Sequence, residues 1–165
     1  KQNGPGWLGQ SLYARQIAGR TDGAPPPVDL THERMSGDFV RTLIKDGRVV
    51  TCHDIADGGL LVAVAEMAMA GNLGLTLTLE GVAPETCHAW LFGEDQGRYV
   101  IACPAAEAAA LIALSQRAGV AACVIGRTGG SDLTVEGQGT ISVASLRDAH
   151  ERWLPGLMAA PATEA

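Results

Sequence analysis

Basic residues are scarce in this 165-residue sequence, and they form no cluster interleaved with aromatic residues. Lysine and arginine number 12 against 18 aspartates and glutamates, the net charge is −6, and aromatic residues make up only 4% of the chain. A nucleic-acid-binding surface needs a basic patch, commonly with aromatic side chains on which bases stack. The sequence therefore predicts no nucleic-acid partner.

A membrane-length apolar run is also missing. The longest candidate, from Leu60 to Ala70, is interrupted by Glu66 and ends at Gly71, whereas a membrane-spanning helix needs about 20 consecutive apolar residues. No signal-peptide pattern opens the chain. These absences predict a soluble, cytoplasmic protein with no membrane partner.

The few cysteines form no C-x-x-C pair, which argues against a zinc site. Three of them fall in predicted strands, so we expect buried, reduced thiols. No Gly-x-Ser-x-Gly motif or Cys-His arrangement indicates a nucleophile, which leaves covalent catalysis without support. The four cysteines are Cys52, Cys87, Cys103 and Cys123.

Apolar residues, by contrast, make up 47% of the chain, mostly as small aliphatic side chains. A chain of this length can bury roughly two-thirds of its unfolded surface in one core. We expect one domain over residues 1–157 and a disordered tail over residues 158–165. The polar, glycine-rich start at Lys1 indicates a fragment separated from a longer polypeptide.

Hydrophobic periodicity predicts alternating strands and helices, followed by a hairpin and a last helix. Predicted helices start near Leu8, after an Asp29 cap, and at Leu60, Pro84, Pro104 and a Ser145 cap, the last ending at Leu154. Predicted strands are Arg48–His53, Leu75–Leu79, Arg98–Cys103, Ala121–Ile125, Leu133–Val135 and Thr140–Val143, with a turn at Gly126–Gly130. This order predicts a layered α/β (α+β) domain in which helices flank a mixed β-sheet.

The stretch from Val49 to Leu61 is a predicted strand, polar loop and buried helix. Gly58 and Gly59 open the helix, whose N-terminal amides favour an anion such as phosphate. Asp54 and Asp57 would repel that anion unless a cation lies between them, so the pattern predicts phosphate together with Mg²⁺.

Two structural alternatives stay open for this loop. Asp57 can act instead as a helix cap, and His53 can act as a hydrogen-bonding loop anchor. The His53-Asp54 pair also occurs in HD phosphohydrolases, but those enzymes are all-helical, whereas this pair follows a strand. A second polar loop, Gly93–Gly97, precedes the predicted strand at Arg98 and brings Glu94, Asp95 and Gln96.

Four motifs in this order resemble the phosphoribosylformylglycinamidine synthase family, and specifically its last domain, of the type shared with aminoimidazole ribonucleotide synthetase. The resemblance covers the chain from Leu8 to about Leu157, and Asp95 stands where that family usually has serine. The motifs are Leu8–Tyr13, Asp38-Phe39, His53–Leu60 and Gly93–Tyr99.

The resemblance implies part of an ATP-dependent ligase of purine synthesis. Such a ligase converts formylglycinamide ribonucleotide to the amidine with glutamine-derived ammonia. It implies ATP and Mg²⁺ as cofactors, and as partners the upstream domains of the same enzyme, a separate glutaminase subunit and a small bridging subunit. It places no catalytic residue in this chain, so we expect the isolated fragment to be inactive. The expected phosphate- or nucleotide-binding residues are His53, Asp54, Asp57, Gly58, Gly59, Glu94, Asp95 and Gln96, with Asp54 and Asp57 as metal ligands.

Two alternative interpretations of the function remain open. Aminoimidazole ribonucleotide synthetase, selenophosphate synthetase and thiamine monophosphate kinase share the architecture, although the Glu94–Tyr99 element favours the synthase. The fragment could also be a non-catalytic module that holds a nucleotide as a structural strut.

Overall fold

The structure is a computed structural model, and it describes residues 6–159. It contains helices α1 Leu12–Gln16, α2 Leu30–Lys45, α3 Gly59–Gly71, α4 Cys87–Phe92, α5 Ala108–Arg117 and α6 Val143–Ala159. Its strands are β1 Thr51–Asp54, β2 Leu75–Leu77, β3 Tyr99–Ala102, β4 Gly126–Thr128, β5 Asp132–Val135 and β6 Gly139–Ser142. Short 3₁₀ turns, Pro84–Thr86 and Ala105–Glu107, precede α4 and α5.

The chain divides into two compact units. The first comprises residues up to Val64 together with Leu79–Ile125, and it contains the antiparallel pair β1 and β3, in which His53 lies opposite Val100. A core of Leu43, Val49 and Leu111 forms where α2 and α5 pack with this pair. The core therefore fixes α2 beside the strand that carries His53.

The second unit comprises Ala65–Thr78 and the chain from Gly126 onward. Its four-stranded sheet has the order β4-β2-β5-β6, in which β2 is antiparallel to β4 and parallel to β5, and β5 is antiparallel to β6. The predicted mixed sheet with helices is thus confirmed, and the hairpin predicted between residues 133 and 143 forms as β5 and β6. The structure adds that the strands are distributed over two sheets.

The predicted strand Ala121–Ile125 is wrong, and so is the turn predicted directly after it. Residues 121–125 form no strand, and Val124 is 54% exposed, whereas Gly126–Thr128 is β4. A Cβ on Gly126 would lie 2.1 Å from the carbonyl oxygen of Thr76, so only glycine permits this pairing with β2. Tertiary pairing has outweighed local β propensity here.

Two helix ends also differ from the prediction. The amide of Ser145 donates to the hydroxyl of Ser142 at 3.0 Å, so Ser142, rather than Ser145, caps α6. The helix then passes through Pro155 and continues to Ala159 instead of ending at Leu154. The predicted tail thus has its first two residues in α6, and residues 160–165 lie outside the described part. At α2 the Asp29 cap is confirmed, because its carboxylate accepts from the amides of Thr31 and His32.

The cysteines are all free in the described chain, as the reduced state requires. Cys87 is buried, and Cys52 and Cys103 are partly buried. Cys123 is exposed, so its expected burial is wrong, because the segment around it joins no sheet.

Candidate functional site

The predicted strand, loop and helix around the diglycine are confirmed as β1, a loop at residues 55–58, and α3. Both glycines have left-handed backbones, with φ of +81° at Gly58 and +74° at Gly59. A Cβ on Gly59 would lie 2.6 Å from the backbone carbon of Phe92. The glycines are therefore required by backbone conformation and close packing.

Both diglycine amides donate hydrogen bonds within the chain. The amide of Gly58 donates to Glu94 Oε1 at 2.8 Å, and that of Gly59 donates to the carbonyl of Ala56 at 3.0 Å. In this conformation the amides expected to face an anion are already paired. Sequence reasoning gave the correct loop but a different physical reason for its glycines.

Glu94 joins two distant parts of the chain. The same Oε1 that accepts from Gly58 also accepts from the amide of Leu12, at 2.8 Å, at the start of α1. Its own amide donates to the carbonyl of Trp7 at 3.2 Å. One carboxylate oxygen thus fixes the beginning of α1 to the loop that opens α3.

Asp95 holds the chain just before α1 in a similar way. Its Oδ2 accepts from the amides of Gly6 at 2.8 Å and Trp7 at 3.2 Å, and also from Arg98 Nη1 at 3.3 Å. The Arg98 side chain is only 17% exposed; its burial lowers the pKa of the guanidinium, and Asp95 opposes that shift. Asp95 therefore anchors the segment before α1.

Glu94 and Asp95 thus connect two of the motifs quoted above, the segment around Leu8–Tyr13 and the loop Gly93–Gly97. A ring stack of Tyr13 on Phe92, with centroids 4.6 Å apart, adds to the same junction. We define the N-terminal clamp as Glu94, Asp95 and the backbone amides that they bind. Acidic residues between two glycines were the signal in the sequence, but nothing there indicated which amides they would bind.

His53 and Asp54 lie elsewhere, at the end of β1, where they line an open groove of about 710 Å³. Its other walls are α2 and Tyr99 of β3. The residues of α2 in this groove are Gly37, Val40, Arg41, Ile44 and Lys45. An adjoining groove of about 510 Å³ shares Gly37, Arg41 and Tyr99 with it and includes Arg34 and Asp38.

Within the groove, His53 Nδ1 lies 2.6 Å from the carbonyl oxygen of Asp54 and 3.7 Å from the Asp54 carboxylate. Because a carbonyl oxygen only accepts, this contact assigns the proton to Nδ1. His53 is therefore at least a loop anchor, as one of the two open interpretations proposed. The Cys52 thiol beside it has a raised pKa, chiefly through burial and secondarily through the Asp54 charge, so it stays protonated at neutral pH.

The basic side chains of the groove were not found from the sequence. Arg41 and Lys45 are both exposed on one face of α2, four residues apart, and Gly37 lies one turn earlier on that face. A Cβ on Gly37 would lie 3.3 Å from the Tyr99 hydroxyl, so the backbone of α2 runs close to this side chain. Arg41 also pairs with Asp38. Helical spacing was the available signal, but only the fold shows that this face lies next to His53.

The remaining predicted residues, Asp57 and Gln96, are exposed. No group of three or more His, Cys, Asp or Glu side chains suited to a metal occurs within residues 6–159. Mg²⁺ is usually held by one or two carboxylates together with phosphate oxygens and waters. Asp54 and Asp57 are both exposed, and their role as metal ligands stays a prediction. Among the described helices, none is long and apolar enough to cross a membrane.

Known proteins of one name are similar to almost the whole of this chain. The chain is 55% identical over 159 residues to the phosphoribosylformylglycinamidine synthase subunit PurL of Parvibaculum lavamentivorans, which covers 95% of this chain and 21% of that protein. It is 57% identical over 153 residues to the same subunit of Rhodospirillum rubrum, covering 93% of this chain and 20% of that protein. The chain therefore spans about a fifth of the length of these relatives.

Solved structures with the same fold include Thermotoga maritima PurL complexed with FGAR. It has a TM-score of 0.69 at 18% identity, and the match covers 86% of this chain and 26% of that one. The same T. maritima protein complexed with ATP matches with a TM-score of 0.65 at 19% identity, covering 86% and 24% of the two chains. The thiamine-monophosphate kinase of Stenotrophomonas maltophilia matches with a TM-score of 0.52 at 18% identity, covering 81% and 48%. At these identities the structures support the fold alone.

The family described as AIR synthase related protein, C-terminal domain, matches residues 3–138, which is most of the chain. This span contains the N-terminal clamp, the diglycine loop and both walls of the groove. The chain therefore belongs to the AIR synthase related protein family, as a C-terminal domain.

Proposed function

We propose that this chain is the C-terminal domain of a phosphoribosylformylglycinamidine synthase, an ATP-dependent carbon–nitrogen ligase of purine synthesis. The observation that carries the proposal is the identity of 55–57% over 93–95% of the chain to subunits of that name. The complete reaction consumes ATP and glutamine-derived ammonia to convert formylglycinamide ribonucleotide to the amidine. A cytoplasmic location belongs to the same proposal.

The groove between α2 and the end of β1 is the proposed phosphate site. Arg41 and Lys45 provide positive charge on one wall, while Asp54 provides a carboxylate on the other. Phosphate oxygens would lie against the basic side chains, and Mg²⁺ would lie between phosphate and the carboxylates of Asp54 and Asp57. The metal would neutralise charge on the nucleotide phosphates. ATP complexes of T. maritima PurL support a nucleotide as the ligand.

The other predicted site residues have a supporting role in this proposal. Gly58, Gly59 and Glu94 hold the loop between β1 and α3, which begins directly after Asp54. Asp95 holds the segment before α1. A direct phosphate contact by these residues or by Gln96 stays a prediction. Ligand binding would then depend on the N-terminal clamp through the position of the loop.

The groove is open, and this supports a site completed by another part of the enzyme. Ile44 in its wall is 48% exposed, and Val50, just before β1, is 92% exposed. Such apolar exposure beside a basic wall fits a domain interface. We propose that upstream domains of the same polypeptide close the groove, and that this chain alone is inactive. A glutaminase subunit and a small bridging subunit are proposed as separate partners, consistent with the solved structure of PurLQS from Thermotoga maritima.

The test is isothermal titration of ADP with Mg²⁺ into the full-length polypeptide that carries this chain. Replacing Lys45 or Arg41 with alanine should weaken binding by roughly 5-fold, since an exposed charged contact contributes about 1 kcal/mol. Arg117→Ala is the matched control, because Arg117 is an exposed cation at the end of α5, outside both grooves. Equal affinity in all three variants would remove the groove from the nucleotide site. The isolated chain should bind ADP far more weakly than the full-length polypeptide.

The thiamine monophosphate kinase alternative is supported only by the fold, through the TM-score of 0.52. A non-catalytic role, in which this domain holds a nucleotide as a strut, is supported by the open groove. Steady-state assays of the full-length enzyme distinguish a catalytic nucleotide site from a structural one. A catalytic nucleotide site predicts that Lys45→Ala raises the KM for ATP, whereas a strut predicts a lower stability at unchanged KM.

A further inference from the structure

Helix α6 carries an apolar stripe that is buried at one end and exposed at the other. Val143 is 3% exposed, and Leu146, three residues later, is partly buried. The same helical spacing continues to Trp153 and Leu157, which are 67% and 57% exposed, with Leu154 beside them at 54%. The stripe therefore extends beyond the surface that covers its beginning.

The beginning of α6 is firmly attached within its own unit. Arg147 donates to Asn72 Oδ1 at 3.0 Å and also to the carbonyl of Met69, near the end of α3. The opposite face of α6 is charged, because Asp148 and Arg152 lie there and pair with each other. This charged face is typical of a solvent-facing helix surface, so the apolar stripe is the side built for contact.

The exposed part of the stripe consists of four large apolar side chains. Trp153, Leu154, Leu157 and Met158, the last 79% exposed, form one patch on the order of a few hundred Å². Patches of this size on a soluble surface are often functional. Because an isolated helix end of this length is marginal in water, the last two turns also need a partner to be firmly helical.

The comparisons show how far α6 is shared with longer proteins. The family match ends at residue 138, before α6 begins. The match to the P. lavamentivorans subunit, in contrast, covers 95% of this chain, which leaves too few residues unmatched for the 17-residue helix to lie outside it. Helix α6 is thus shared with subunits about five times as long, and it lies beyond the general domain. We therefore expect the surface that contacts the exposed part of α6 to belong to those longer chains.

We infer that the stripe formed by Trp153, Leu154, Leu157 and Met158 docks onto an apolar surface in the remaining four-fifths of the same polypeptide. The inference rests on the proposal that this chain is part of a PurL-type polypeptide. It requires neither nucleotide binding nor catalysis. The stripe forms an intramolecular contact that holds this domain against the rest of the enzyme.

Hydrogen exchange followed by mass spectrometry on the full-length polypeptide tests the inference directly. It is measured without nucleotide, without other subunits, and at low and high protein concentration. A docked helix predicts amides of residues 153–159 that exchange roughly a hundredfold or more slowly than their unstructured rates. Exchange close to the unstructured rate would overturn the inference.

Two other outcomes would assign a different occupant and also overturn it. Protection that grows with protein concentration would indicate a second copy, and protection that arises only on adding the other subunits would indicate one of those. Nucleotide affinity is unaffected by these outcomes, so a failure here is distinguishable from a failure of the proposed nucleotide site.

A variant pair adds a second measurement. Leu154→Ser with Leu157→Ser should abolish the protection of residues 153–159 while leaving the exchange of β5 and β6 unchanged. The matched control is Asp148→Ser with Arg152→Ser, which alters the charged face of the same helix and should retain the protection. If both pairs behave alike, the apolar stripe has no specific role. The wild-type measurement stands even if a variant fails to fold.

Discussion

Glu94→Ala should destabilise the fold through the N-terminal clamp, because one carboxylate oxygen accepts two backbone amides, from Gly58 and Leu12, each at 2.8 Å. A hydrogen bond to a charged group contributes about 1.5–3 kcal/mol. The two bonds share one oxygen and the side chain is partly exposed, so the sum is reduced. We expect a loss of about 2–4 kcal/mol in the free energy of unfolding.

Glu94→Gln separates the charge from the geometry. The amide oxygen of glutamine can accept both hydrogen bonds without a negative charge, so we expect a loss of only about 1 kcal/mol. Gln96→Ala is the control, because Gln96 is exposed in the same loop and its replacement should change stability by no more than about 0.5 kcal/mol.

The assay is thermal and urea unfolding followed by circular dichroism. For a chain of this size, about 1 kcal/mol corresponds to roughly 2–4 °C in Tm, so Glu94→Ala should lower Tm by about 5–15 °C. The reasoning is refuted if Glu94→Ala unfolds within about 1 °C of the Gln96→Ala control. Equal losses for the alanine and glutamine variants would show that the two hydrogen bonds depend wholly on charge.

Further predictions concern the backbone at Gly59, the charge of Asp95 and the thiol of Cys52. Gly59→Ala should lower the free energy of unfolding, measured in urea, by more than about 2 kcal/mol, because φ at this position is +74° and an added Cβ would lie 2.6 Å from backbone. Gly139→Ala is the control: because Gly139 has open space around it, the free energy of unfolding should hardly change. Asp95→Ser should cost about 2–4 kcal/mol because it leaves the mostly buried Arg98 without its anion, and a loss under about 1 kcal/mol in the same unfolding assay would contradict that role. The raised pKa of Cys52 favours the protonated thiol in the folded state, so its contribution to stability is present at neutral pH and declines as pH rises through the thiol range. Its alkylation rate should therefore still be increasing at a pH where the urea-unfolded thiol has reached its plateau.

Local signals in the sequence were sufficient for most elements. Asp29 before a helical stripe gave the start of α2, and the alternation Leu75-Thr76-Leu77 gave β2. These features depend on residues close together in the chain. Residues 121–125 also have a composition that favours a strand, but they pair with no other strand, whereas Gly126 pairs with β2.

The sequence by itself determined the fold class, the loop after β1 and the family, because these depend on periodicity, glycine placement and ordered motifs. Only the tertiary structure decided which amides Glu94 and Asp95 bind, since Leu12 and Gly6 are more than eighty residues away in the chain. It likewise placed Arg41 beside His53, because the packing of α2 on β1 depends on a core that no single segment encodes. The polar residues of the two predicted loops look equivalent in the sequence. Long-range contacts decide which of them hold the backbone in place and which face the groove.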